Sequence, residues 1–144
     1  MASKLYGQFL SQALNKEIDW DTDTIKVALL TNSYTPDQDA HNYWDDVSTY
    51  QVTGTGYTAG GAALTNKTNT YTGASNVIVL DADDVTWSSS TITARYAVIY
   101  NDSPATNATK GLIGYVDFGS DQSSSNGNFT ITWDATGIVR ITVA

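Results

Sequence analysis

The chain is 144 residues long, the size of a single domain with one core, and its 7 Lys and Arg against 15 Asp and Glu leave a net charge of -8. That balance argues against nucleic-acid backbones and anionic membranes as partners, and the absence of cysteine excludes disulfides, thiolate zinc sites and a cysteine nucleophile. Every acidic residue but Glu17 is Asp and Thr is abundant, a composition that favours turns and strands over helix.

In chain order, Leu5, Tyr6, Phe9, Leu10, Ala13 and Leu14 recur at spacings of one and four, which predicts a helix over residues 3–16, with Ser3 as cap, inside an N-terminal helical segment 1–18. Gln8, Ser11, Gln12 and Asn15 interrupt its apolar positions, unlike a signal-peptide core, so a soluble, unexported chain is expected. The aliphatic run from Ile25 to Leu30 predicts a buried strand. Residues 31–61 hold no sustained period and carry Pro36, Gly54, Gly56, Gly60 and Gly61, the chemistry of an extended loop or flap. Seven further strands are predicted to start at Ala62, Val77, Val85, Ile92, Leu112, Phe129 and Ile138, with 119–127 as a polar loop between two of them. The expected fold is therefore all-β: an antiparallel two-sheet β-sandwich or jelly-roll-like body, one domain over 1–144, with one N-terminal helix and a long aromatic loop. Tyr96, Val98, Ile131 and Trp133 are expected to share one sandwich interior.

Residues with chemistry are few. Asp19, Asp21 and Asp23 sit at alternate positions like the opening of a calcium loop, but Thr24 and Leu30 stand where that loop needs glycine and a bidentate glutamate. The acidic run from Asp81 to Asp84 lies in a turn, where Asp bonds its own backbone. There is no G-x-S-x-G elbow, a triad would have to recruit the single histidine, His41, and the glycine pairs lack a P-loop lysine. No catalytic residue, cofactor site or metal site is assigned. The sequons at Asn66, Asn107 and Asn128 are patterns that a chain rich in Thr and Asn generates by chance.

The aromatic residues of 31–61, namely Tyr34, Tyr43, Trp44, Tyr50 and Tyr57, are the informative feature. Tyr and Trp bury large areas with few rotatable bonds and keep a polar tip, which suits a partner-binding surface. The other reading is that the segment folds back and completes the domain's own core. Both stay open at this stage.

The segments Asn15-Lys16-Glu17-Ile18-Asp19-Trp20-Asp21-Thr22-Asp23-Thr24-Ile25-Lys26-Val27, Leu29-Leu30-Thr31-Asn32-Ser33-Tyr34-Thr35-Pro36, Gly54-Thr55-Gly56-Tyr57-Thr58-Ala59-Gly60-Gly61, Asp81-Ala82-Asp83-Asp84-Val85-Thr86-Trp87, and Ala94-Arg95-Tyr96-Ala97-Val98-Ile99-Tyr100 followed by Leu112-Ile113-Gly114-Tyr115 resemble small virion structural proteins of tailed bacteriophages. The resemblance spans nearly the whole chain and rests on packing and turn signatures. It implies a non-enzymatic protein made in the host cytoplasm and carried on the virion. Its expected role is a capsid decoration or cement protein that binds the major capsid protein as a homo-oligomer, a trimer, with Tyr34, Tyr43, Trp44, Tyr50 and Tyr57 as the binding residues. A tail or head-fibre component and a carbohydrate-binding module are the alternatives.

Overall fold

A computed structural model describes residues 2–143; Met1 and Ala144 lie outside the described residues. Eight strands form two antiparallel sheets. The larger has the order β1-β7-β6-β2-β3, from Ala2–Leu5 (β1), Ile25–Leu30 (β2), Ala62–Ala63 (β3), Val85–Asn101 (β6) and Leu112–Ile131 (β7). The smaller has the order β4-β5-β8, from Thr68–Thr72 (β4), Val77–Asp81 (β5) and Val139–Thr142 (β8). The fold is the expected all-β two-sheet sandwich with one helix. Among the described residues no helix is long and apolar enough to cross a membrane.

The N-terminal helix is shorter than expected. Ala2–Leu5 is a strand on β7, with Leu5 opposite Gly114, and only Phe9–Leu14 (α1) is helical. Leu5 packs on one face of the large sheet and Tyr6 on the other, a two-sided placement that a strand permits and one helix face does not. A Cβ at position 114 would lie 3.0 Å from the Lys4 carbonyl oxygen, so glycine there admits β1 to the edge. Inside α1 the buried residues are Phe9 and Gln12, while Leu10 and Leu14 face outward.

The strand count also rearranges. The strands expected from Val85 and Ile92 are one strand, β6, and those from Leu112 and Phe129 are one strand, β7, which runs through the polar stretch 119–127. Hydroxyls bridge this ribbon where apolar pairs are lacking, Ser90 Oγ to Ser124 Oγ at 2.7 Å and Thr93 Oγ1 to Ser123 Oγ at 2.8 Å. The strand expected from Ala62 is two pieces in different sheets, parted at Asn66, which takes φ 50.

Register shifts punctuate the β6–β7 ladder, one of them between Ala94 and Tyr96. It reverses which way alternate residues point. Ile92 and Ala94 therefore enter one core, while Tyr96, Val98 and Tyr100 enter the other. This corrects the expectation of a single interior: Ile131 is buried in the first core and Trp133 packs against it, whereas Val98 is buried in the second with Tyr96 partly buried beside it. The first core lies between the sheets, with Leu80 and Val139 of the small sheet meeting Trp87, Ile92, Phe129 and Ile131 of the large one. The second core lies on the opposite face of the large sheet, where Ala28, Leu30, Val98, Tyr100 and Leu112 are covered by Tyr6, Tyr34, Trp44 and Val47. The antiparallel large sheet is thus buried on both faces, and residues 31–61 supply much of the second cover.

Candidate interaction surfaces

The aromatic segment is built into the fold. Trp44 is 4% exposed and stacks on Tyr100 of β6, ring centroids 4.1 Å apart and planes 7° from parallel. Tyr34 is 1% exposed; its hydroxyl lies 2.6 Å from that of Tyr6 and 3.0 Å from Nδ1 of His41, and its ring meets Tyr96 edge-on at 5.4 Å. Burial pushes the Tyr34 hydroxyl up to about 12, and burial also raises Tyr6, so neither phenol ionises in the neutral range. Tyr57 is half-buried; its hydroxyl accepts the Leu29 backbone N–H at 3.1 Å and donates to Gln51 Oε1 at 3.3 Å, pinning the end of the segment to β2. Of the five aromatic residues singled out from the sequence, Tyr34 and Trp44 are core and Tyr57 is an anchor. Tyr43 and Tyr50 are the two left part-exposed without such an anchoring bond, Tyr50 against the Tyr34 ring at 5.4 Å. Of the two readings left open by the sequence, Trp44 and Tyr34 follow the one in which the segment folds back and completes the domain's own core. Tyr6, Tyr96, Tyr100 and Tyr115 complete the cluster, and the sequence did not group them because a bulge and a misplaced helix hid which face they share.

In the two acidic turns the carboxylates of Asp19, Asp23, Asp83 and Asp84 are bonded within the fold, whereas Asp81 Oδ1 is buried without a partner. Asp19 Oδ1 accepts the backbone N–H groups of Asp21 and Thr22, and its pKa is lowered chiefly by the bonding to Thr22. Asp23 Oδ2 accepts from the Asp19 N–H and from the amide of the buried Asn101 at 2.6 Å. A cation does sit over this turn: the Lys67 ammonium donates to the carbonyls of Asp21 and Asp23, the latter at 2.6 Å. In the second turn Asp83 Oδ2 accepts from Asn66 at 2.6 Å and Asp84 Oδ1 accepts the Trp133 N–H at 2.9 Å. Among the described residues no group of three His, Cys, Asp or Glu side chains is placed to hold a metal ion.

One concave surface escaped the sequence reading. A cleft of about 950 Å³ opens where the sheets part, between β1 and β7 on one side and β8 with its preceding turn on the other. Leu5, Val116, Phe118, Phe129, Trp133 and Val139 give it an apolar floor, and Lys4, Asp134 and Arg140 are its charged side chains. The Trp133 indole is held by its Nε1–H on the Asp83 carbonyl at 2.9 Å. β1 and β8 are each the outermost strand of their sheet, so the cleft is bordered by two edges with unpaired backbone groups. The sequence signal for it was the Phe118, Phe129 and Trp133 rows, which mark an interior but not an interior left open. Compared with family models, curated proteins and solved structures, the chain has no match.

Proposed function

We propose that this chain is a structural protein of a tailed-phage particle, a decoration or cement protein that binds the major capsid protein of the assembled head and works there as a homo-oligomer, a trimer. The single observation that favours a docking role is that residues 31–61, irregular as they are, lie fixed on a sheet face by buried Tyr34 and Trp44 and leave Tyr43 and Tyr50 part-exposed. Such a surface is ordered before it meets a partner, so docking spends little free energy on freezing loops. A protein that binds the expanded lattice and not free subunits stabilises the assembled state by mass action. Many weak, symmetric contacts then add through avidity.

The test is co-sedimentation with expanded and unexpanded shells of the cognate phage. Binding to expanded shells that Tyr43→Ala weakens, with the melting midpoint held, is the expected result; no binding to either shell overturns the proposal. A carbohydrate-binding module is the second reading, favoured by Phe118 and Trp133 lining one cleft together with Asp134 and Arg140. Retention on a glycan surface with no affinity for shells would select it.

A further inference from the structure

The molecule carries two unpartnered apolar features of opposite shape. One is the cleft between β1 and β8, with its apolar floor and its rim cations Lys4 and Arg140, opposed by Asp134. The other is α1, whose Leu10 is 43% and Leu14 85% exposed; four residues apart, they form one ridge along one helix face. These are two of the few large apolar side chains left in water by this fold. The ridge ends in a segment where Lys16 and the Lys67 ammonium seated on its turn are outnumbered by Glu17, Asp19, Asp21 and Asp23, whereas two of the cleft's three charged side chains are cations in a molecule of net charge -8. Shape and charge therefore match between the two surfaces, and a cleft of about 950 Å³ has room for the two leucine side chains of the ridge.

We infer that the Leu10–Leu14 ridge of one copy seats in the β1–β8 cleft of the next. The occupant of the cleft is a second copy of this chain, in a head-to-tail contact in which ridge and cleft are different surfaces of the same molecule. Such a contact closes into a ring when the rotation between copies permits and otherwise extends as a filament. Glu17, Asp19 and Asp21 of the incoming copy then lie toward Lys4 and Arg140. The inference rests on the functional reading above only in taking the protein to act as an oligomer.

Sedimentation velocity over a concentration series tests it. The full chain is expected to associate, and Leu10→Ser with Leu14→Ser is expected to sediment as a monomer. Lys4→Glu with Arg140→Glu is expected to do the same from the other side, as is Thr132→Trp, which fills the cleft from an exposed lining position. Circular dichroism and the melting midpoint establish that each variant is folded. The decisive measurement mixes the leucine variant, whose cleft is intact, with the Thr132→Trp variant, whose ridge is intact: a complex limited to one copy of each is expected, because only one ridge-and-cleft contact is possible. A full chain that stays monomeric, a leucine variant that still associates, or a mixture that forms no complex overturns the inference. Shell co-sedimentation is read separately. A full chain that binds shells without self-associating overturns this contact and leaves the decoration role standing, and an oligomer that ignores shells does the reverse.

Discussion

Trp44 closes the second core by stacking on Tyr100, while the neighbouring Tyr43 stays part-exposed. Truncating a buried indole removes transfer free energy and leaves a cavity, so Trp44→Ala should cost about 3–5 kcal/mol. For a domain of this size the melting midpoint should fall by roughly 10 °C, which differential scanning calorimetry will read. Tyr43→Ala, at a part-exposed position, should cost under about 1 kcal/mol. Asp102 has a different signature. Burial pushes its carboxyl up, but the ammonium groups of Lys110 and Lys26, each at 2.6 Å, outweigh that and hold it below the usual carboxylate range. Because the folded value is the lower one, its contribution is complete above the unfolded value of about 3.9 and is lost as the pH falls through the folded value. Denaturant titrations at neutral pH and below pH 4 should therefore show Asp102→Asn losing most at neutral pH and converging on the wild type in acid.

At the scale of elements, periodicity made the strands legible and bulges limited what it could say. In the stretch from Ile92 to Tyr100 the alternate residues Ile92, Ala94, Tyr96, Val98 and Tyr100 are each buried or half-buried. Which core each enters is set by the register shift at Ala94/Tyr96, a backbone event that leaves no mark on the alternation itself. The helix expected over 3–16 failed for a related reason. Its apolar spacing fits a helix and equally fits a strand with Leu5 and Tyr6 on opposite faces, and only the partner strand β7 decides. Of the candidate site, the aromatic residues were legible by type and the cleft was not, since no local pattern states where two sheets part. The acidic turn at Asp19 is read from its side chains: with Lys67 supplying the cation, chelator should leave the melting midpoint unchanged, while Lys67→Met should lower stability by about 1 kcal/mol. Gly61 is the tightest turn position, at φ +78 with a Cβ there overlapping the Val27 carbonyl. Gly61→Ala should cost more than about 1 kcal/mol, measured by urea unfolding.

Across the whole molecule, protection should follow the depth of the two cores. Amides of Val98, Ile99 and Ile113, in the doubly covered part of the large sheet, should exchange slowest with solvent. Those of β4, whose five residues are all exposed, should exchange fast, and so should most of the 119–127 stretch. Equal protection across β4 and β6 by mass spectrometry would contradict this layering.

The register shift near Arg95 also fixes which kinds of genetic change this fold can absorb. A substitution on either side of it alters one contact and is felt in proportion. Losing or gaining one residue between Tyr96 and Asn101 restores or doubles the shift, and every side chain beyond it then changes faces. Val98 and Tyr100 would be driven between the sheets while Ala97 and Ile99 turned toward Trp44, so both cores would be mispacked at once. The exposed turn at 73–76, between β4 and β5, faces no such constraint and should accept inserted peptide without loss of fold. Length variation in this chain should therefore collect at 73–76 and be absent from 96–101, where the sequence can change in kind but not in number.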